Sequence, residues 1–229
     1  MQLGRDHQQM VEFVRDYIES HDPFGTELSK RYRFRRRFEH CLRCSIWARR
    51  IALAEDANVE ISQVSALFHD IGKSVNNTSK EHGELGSQIC GDYLTAIAYD
   101  KSRSTKIIQI IRSHSSHASE SDASLEAKVV SDADLLDETG AITVLWDAMA
   151  CAQEDAPSYE KAYDRIRRAY ARLKVKPPEQ LHTPTARQIL KGRLLFIEAF
   201  LRNLEDELGR TETLQRLTSN HVVHNRQDM

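Results

Sequence analysis

The octapeptide ALFHDIGK, residues 66–73, places an imidazole and a carboxylate side by side at the end of an apolar segment. If that segment is helical, His69 and Asp70 are about 100° apart around the helix axis, so one cation above their shared edge could contact both. Imidazole nitrogen and carboxylate oxygen suit hard or borderline divalent metals. The pair therefore predicts part of a metal site whose other ligands come from facing helices.

Further candidate ligands lie along the chain, each in or beside a segment with apolar periodicity. Asp132 and Asp134 are about 200° apart on a helix, so only one of them can point into a shared site. Four further histidines are interpreted as bystanders: His117, His182, His221 and His224. The candidates are His40 in FEHCLRC, His82 in KEHGELG, His114 in IIRSHSSH, and the carboxylates of VVSDADLLDE, namely Asp132, Asp134, Asp137 and Glu138.

The elements that must position these side chains are predicted to be helices, because apolar residues recur at helical spacing and no segment alternates as a strand does. The fold class predicted is all-α, a globular bundle of roughly eight to ten short helices without a significant sheet. Pro184 predicts a helix start, whereas Lys176-Pro177-Pro178 and residues 76–79 predict loops. The clearest helical segments are residues 10–18, 46–54 (in a helix expected to start before His40), 61–68, 107–111, 125–136, 141–152, 159–173 and 185–208.

The length of 229 residues suits a single domain with its own core. We expect the metal-binding core at about residues 34–145 and a helical C-terminal extension at about 155–217. That extension could supply a lid or the surface of a homodimer. The polar stretch 218–229 is expected to fray.

Charge and composition exclude several functions. The formal net charge of −2 provides no field that would attract nucleic acid or an anionic membrane. The arginine-rich segment RYRFRRRFEH is therefore interpreted as a solvated helix start with inward aromatic residues. Neither a signal peptide nor a membrane-length apolar run is visible, so we expect a cytoplasmic protein with reduced cysteines. Cys41 and Cys44 are interpreted as small core residues of one helix, because a structural zinc site needs four ligands.

Three segments resemble, in order, spacing and flanking residues, the HD-domain superfamily of metal-dependent phosphohydrolases. HCLRCSIWARRIA resembles the first helix of that family, VSALFHDIGK its signature, and AKVVSDADLLDETGAI the helix with its last aspartate. The resemblance covers roughly residues 34–145. The segment LHTPTARQILKGRLLFIEAFLRNLEDEL also resembles the helix that closes many small bacterial HD proteins.

The resemblance implies His40, His69 and Asp70 as the first three metal ligands. For the fourth it favours Asp134, which follows a small residue and precedes a bulky one, with Asp132 kept in a supporting position. Asp132 or Asp137 could orient a ligand histidine. His82 and His114 resemble the extra histidines of members that hold two metals or bind phosphate beside one. One or two divalent ions such as Mn²⁺, Fe²⁺ or Mg²⁺ are therefore expected.

The activity implied is hydrolysis of a phosphate ester or anhydride, of a nucleotide or a related small molecule, by a metal-activated hydroxide. Asp70 takes part through the metal, while Arg43, Lys73 and His114 would neutralise charge on the phosphoryl oxygens. Lys73 departs from members with an acid shortly after the His-Asp pair. Two alternatives stay open: an HD-type di-iron oxygenase, and a non-catalytic module that binds a phosphorylated ligand.

Overall fold

The computed structural model describes residues 2–21, 32, 34, 36–75, 81–114 and 123–210. These residues form α-helices and one 3₁₀ turn (Ile71–Ser74), and no strand occurs among them, so the all-α prediction is confirmed. The helices are α1 (Gln2–His21), α2 (Arg37–Ala54), α3 (Val59–Phe68), α4 (His82–Ala96), α5 (Lys101–Ser113), α6 (Leu125–Leu136), α7 (Ala141–Cys151), α8 (Tyr159–Leu173), α9 (Lys176–Gln180) and α10 (Pro184–Glu207).

Several helices begin where the sequence provides a side-chain cap. Asn58 accepts a hydrogen bond from the backbone N–H of Ile61 at the start of α3 (3.0 Å). Asp100, Ser124 and Ser158 cap α5, α6 and α8 in the same way. Each cap satisfies a backbone donor that has no partner within its own helix, and so fixes where the helix starts.

The described chain divides into two compact units, the first drawn from residues 1–137 and 180–188. Helix α3 lies at the centre of this unit, where it packs against α2, α5 and α6. Its residues from Val64 to Phe68 are all buried, with Phe68 fully inaccessible. A helix that is apolar on nearly every side has to be surrounded, and this enclosure carries its C-terminal residues into the interior of the unit.

The 3₁₀ turn after Asp70 requires a glycine. A Cβ atom on Gly72 would lie 2.1 Å from the carbonyl oxygen of His82 and 2.7 Å from the backbone nitrogen of Gly86. Since both neighbours are backbone atoms of α4, they cannot move aside as a flexible side chain would. The absent side chain therefore lets α4 approach the His-Asp segment closely enough to present its first residue, His82.

Asp132 stabilises a local junction within the first unit. Its carboxylate is fully buried and accepts hydrogen bonds from the backbone N–H groups of His182 (2.7 Å) and Thr183 (2.8 Å) and from the Thr183 hydroxyl (2.6 Å). The Thr183 hydroxyl in turn accepts from the N–H of Ala186 at the start of α10 (3.2 Å). Asp132 thus supports the beginning of α10.

The second unit is drawn from residues 138–179 and 189–229, so α10 begins in the first unit and continues in the second. Helices α7 and α8 pack together here. The buried core consists of Val144, Tyr163, Ile166, Ile197 and Leu201.

Most helix predictions agree closely with the structure, and one loop prediction is wrong. Residues 125–136 and 159–173 are helical over the predicted spans. The predicted loop at Lys176 instead forms the short helix α9, because proline is tolerated in a first turn, where its missing N–H would have no partner. The predicted loop 76–79 and the tail 218–229 lie outside the described residues, and the single-domain assignment stays a prediction.

None of the helices in the described ranges is both long and apolar enough to cross a membrane.

Gly72→Ala is expected to lower the free energy of unfolding by about 3 kcal/mol, because the added methyl group meets α4 backbone that cannot relax. Urea denaturation followed by far-ultraviolet circular dichroism measures this. Gly192→Ala is the matched control: a Cβ there meets nothing within 4 Å in the middle of α10, so it should stabilise by about 0.5–1 kcal/mol. Equal midpoints for Gly72→Ala and the parent protein would contradict the close-approach argument.

Candidate metal centre

His69 and Asp70 lie at the C-terminal end of α3, with only 0% and 1% of their surface exposed. The Nδ1 atom of His69 is 2.8 Å from the carbonyl oxygen of Ala66. A carbonyl oxygen can only accept, so Nδ1 carries the proton and donates. In the neutral ring Nε2 therefore presents a lone pair away from α3.

His40 comes from the facing helix α2 and has the same arrangement. Its Nδ1 donates to Oδ2 of Asp137 (2.8 Å), which leaves Nε2 as the free end of the ring, 3.3 Å from Nε2 of His69. From α6, Asp134 places Oδ1 3.3 Å from Nε2 of His40 and 3.6 Å from Nε2 of His69. Three helices thus bring two imidazoles and a carboxylate to one point.

A second group forms beside the first. Nε2 of His82, the first residue of α4, is 3.1 Å from Nε2 of His114, which follows α5. His114 is oriented by its Nδ1, which donates to the carbonyl oxygen of Ile111 (2.6 Å). Oδ1 of Asp70 lies 3.7 Å from Nε2 of His82 and 3.5 Å from that of His114.

Asp70 joins the two groups. Its Oδ2 is 3.5 Å from Nε2 of His40, and its Oδ1 is 3.7 Å from Nε2 of His69. Each Asp70 oxygen therefore approaches a different histidine of the first group, and Oδ1 approaches the second group as well. A cation in either group would therefore lie within reach of the Asp70 carboxylate.

The donor set fits divalent metal. Oδ1 of Asp70 is buried and accepts no well-aligned hydrogen bond among the described residues, although Nζ of Lys73 lies 2.8 Å from it. Ring nitrogens that face one another at 3.1–3.3 Å need a proton or a cation between them. Converging ring nitrogens beside a buried carboxylate are what imidazole–carboxylate metal sites require.

The pKa directions of the site's carboxyl groups and of His40 also favour a bound cation. Burial opposes ionisation of Asp70 and Asp134, yet the neighbouring histidines, foremost His69, hold the pKa of both carboxyls well below the ordinary value. Burial would also lower the pKa of His40, but Cys44 and the carboxylates around the ring raise it well above the ordinary value. The carboxylates around His40 thus favour a positive charge at this point.

Three cations lie against these carboxylates. Arg37 contacts Oδ2 of Asp70 (2.7 Å), and Nζ of Lys73 lies 2.8 Å from both oxygens of that carboxylate. Arg43 forms a two-point pair with Asp137 (2.7 and 2.8 Å). Burial opposes ionisation of Asp137, but Arg43 and His40 lower its pKa to about 2.

Most predicted ligands come together in the structure. The site contains His40, His69, Asp70, His82, His114 and Asp134, whereas Asp132 bonds to residues 182 and 183 instead. His117 lies outside the described residues. These ligand assignments stay predictions.

Sequence reasoning missed two participants. Arg37 was interpreted as part of a solvated helix start, although it precedes His40 by one turn and so shares its face of α2. Cys44, which follows His40 by one turn, places Sγ 3.7 and 3.8 Å from the two ring nitrogens of His40. Burial raises the pKa of the Cys44 thiol to about 12, so it is protonated at neutral pH in the metal-free protein.

The part of the chain that supplies this centre is similar to known proteins. Residues 37–139 match the HD domain family model. The chain is 26% identical over 178 residues to the uncharacterized protein YpgQ of Bacillus subtilis, which spans 75% of this chain and 83% of YpgQ. It is 29% identical over 136 residues to ribonuclease Y of Chloroflexus aurantiacus, but spans only 25% of that protein's length.

Solved structures show the same fold. B. subtilis YpgQ in complex with ADP superposes with a TM-score of 0.60 at 22% identity, over 90% of this chain and 97% of YpgQ. An HD-superfamily hydrolase from Bacillus thuringiensis gives a TM-score of 0.65 at 19% identity, over 91% of this chain and 100% of its own. The family match covers the helices that supply His40, His69, Asp70 and Asp134, and residues 37–139 of this protein are therefore an HD domain.

Proposed function

We propose that this protein is a metal-dependent phosphohydrolase that acts on a nucleotide or a related small phosphorylated molecule. The observation that supports this best is the convergence of Nε2 atoms from His40, His69, His82 and His114 on the shared carboxylate Asp70. An HD-superfamily hydrolase fold around such a cluster favours metal-assisted hydrolysis.

The metal would be held by His40, His69, Asp70 and Asp134, with His82 and His114 available for a second ion beside Asp70. A divalent cation bound there would lower the pKa of a water towards neutrality and polarise a phosphoryl oxygen. The protein's own task is orientation: Asp137 and the backbone carbonyl groups of Ala66 and Ile111 fix three of the imidazole rings.

Charge balance explains why a phosphate would enter only after the metal. The carboxylates of Asp70, Asp134 and Asp137 are matched by three nearby cations, so the metal-free cluster is close to neutral. A divalent ion adds two positive charges and converts the site into one that attracts phosphate. The three cations that could then stabilise phosphoryl oxygens are Arg37, Arg43 and Lys73.

A nucleotide is the substrate class proposed, because the structural neighbour YpgQ was crystallised with ADP. The same cluster of cations that balances the carboxylates would suit a di- or triphosphate better than a single phosphate.

The first prediction from this proposal concerns metal retention. His69→Ala and Asp70→Ala should each abolish bound metal in the purified protein, measured by elemental analysis, together with turnover. His182→Ala is the matched control, because its hydrogen bond to Asp132 comes from the backbone N–H, which the substitution keeps, and it should keep the parent metal content. Full metal content in His69→Ala would show that the ligand assignment is wrong.

The second prediction concerns the reaction. The metal-stripped full-length protein, supplied with Mn²⁺, should release phosphate or a shorter nucleotide from ADP, ATP or a phosphodiester such as bis(p-nitrophenyl) phosphate. Nucleotide binding without product under any divalent ion would indicate a binding module instead. Oxygen uptake by iron-loaded protein would indicate an oxygenase.

The third prediction concerns Asp137 as a positioning residue. Asp137→Asn removes the carboxylate that holds Nδ1 of His40, so the Kd for Mn²⁺ should rise by about 10- to 100-fold. Activity should largely recover at saturating Mn²⁺, which a general folding defect would not allow. Asp155→Asn, at an exposed carboxylate, serves as the control. An unchanged Kd for Mn²⁺ would contradict this role.

A further inference from the structure

The geometry points to a second binding mode at the first group, in which Cys44 joins His40, His69 and Asp134 to hold a thiophilic divalent cation, Zn²⁺ or Cd²⁺. This inference rests on the proposed metal site and adds to it a ligand that neither the HD signature nor the metal prediction includes. Zn²⁺ or Cd²⁺ bound in this way would inhibit the proposed hydrolysis.

The position of Cys44 carries the inference. On α2 it lies one turn after His40, on the same face, and it is fully buried. Sγ lies beside the His40 ring, 3.7 Å from Nδ1 and 3.8 Å from Nε2, and Nε2 is the ring atom that Asp137 does not bind. One donor atom from each of four residues lies within 4.8 Å of the other three: His40, Cys44, His69 and Asp134.

Two donor sets therefore share the same pair of imidazoles. The first set combines the two imidazoles with Asp70 and offers only nitrogen and oxygen. Oδ2 of Asp70 lies 3.5 Å from Nε2 of His40, and Oδ1 lies 3.7 Å from Nε2 of His69. The second set includes Cys44 and gains a sulfur ligand. Carboxylate oxygen suits Mn²⁺ and Mg²⁺, whereas thiolate sulfur selects softer ions such as Zn²⁺. The identity of the ion would decide which set is used.

Binding through Cys44 is a proton exchange without redox change. The S–H bond breaks as the metal–sulfur bond forms, and the proton passes to the buffer. The sulfur keeps its electron pair, and the ion keeps its charge of +2. The metal–sulfur bond would replace the weak contacts that the thiol makes in the metal-free protein. Among the described hydrogen-bond partners, Sγ contacts the ring nitrogens of His40.

The consequence follows from coordination number. Zinc sites with four protein ligands are closed, while catalytic sites keep one position for water or substrate. One sulfur, two nitrogens and one oxygen would complete a tetrahedral shell at the first group. A thiophilic ion bound in this way would leave no place for the attacking water, and it would exclude the oxygen-preferring ion.

The test is a titration of metal-stripped, reduced full-length protein with CdCl₂, followed by ultraviolet absorption. A thiolate-to-cadmium charge-transfer band should appear and saturate with one equivalent bound at this group. Cys44→Ala and the better volume match Cys44→Ser should both lack the band, and the Kd for Cd²⁺ should rise by more than about tenfold in each. The Kd for Mn²⁺ should change far less, because its ligands are retained.

Cys41→Ala is the matched control, since Cys41 is equally buried one turn away on α2 but is absent from the donor group. It should keep the band. A band that survives in Cys44→Ser, or that is absent from parent protein which still binds Mn²⁺, overturns the Cys44 mode and leaves the proposed metal site standing. Parent protein that binds neither ion overturns both.

Discussion

The site depends on the orientation of imidazole rings by hydrogen bonds at their Nδ1 atoms. Acceptors that cannot donate face Nδ1 of His40, His69 and His114: a carboxylate in the first case and backbone carbonyl groups in the other two. Each bond fixes the tautomer, so Nε2 is left as the lone-pair atom. Without these bonds the same histidines could hydrogen-bond to one another and would not form a common binding point.

Bringing imidazole nitrogens and carboxylate oxygens together in the protein interior is unfavourable, because these groups lose contact with water. The packing around them has to offset this cost. The enclosure of α3 by α2, α5 and α6 provides apolar packing that keeps His69 and Asp70 in the interior. Gly72 then lets α4 approach closely enough to add His82. Arg37 and Lys73 neutralise the buried Asp70 carboxylate, which would otherwise be costly. The rest of the first unit thus stabilises one cluster of buried polar side chains.

Much of this could be derived from residue order. The helices at 125–136 and 159–173 follow from apolar spacing and from side-chain caps, which are local properties. Helix α9 was missed because a Pro-Pro pair usually marks a loop. The ligand set could be named because its residue types are rare in apolar surroundings, and because their order resembles one family.

The sequence by itself determined that imidazoles and carboxylates on separate amphipathic helices would meet in an all-α protein, since periodicity and ligand chemistry are encoded within short segments. Only the tertiary structure decided which aspartate faces the site: Asp134 contacts His40 and His69, whereas Asp132 supports the start of α10. Only the tertiary structure brought Arg37 and Cys44 to the cluster. The physical reason is that a helix fixes which residues share a face, but packing alone decides what that face meets.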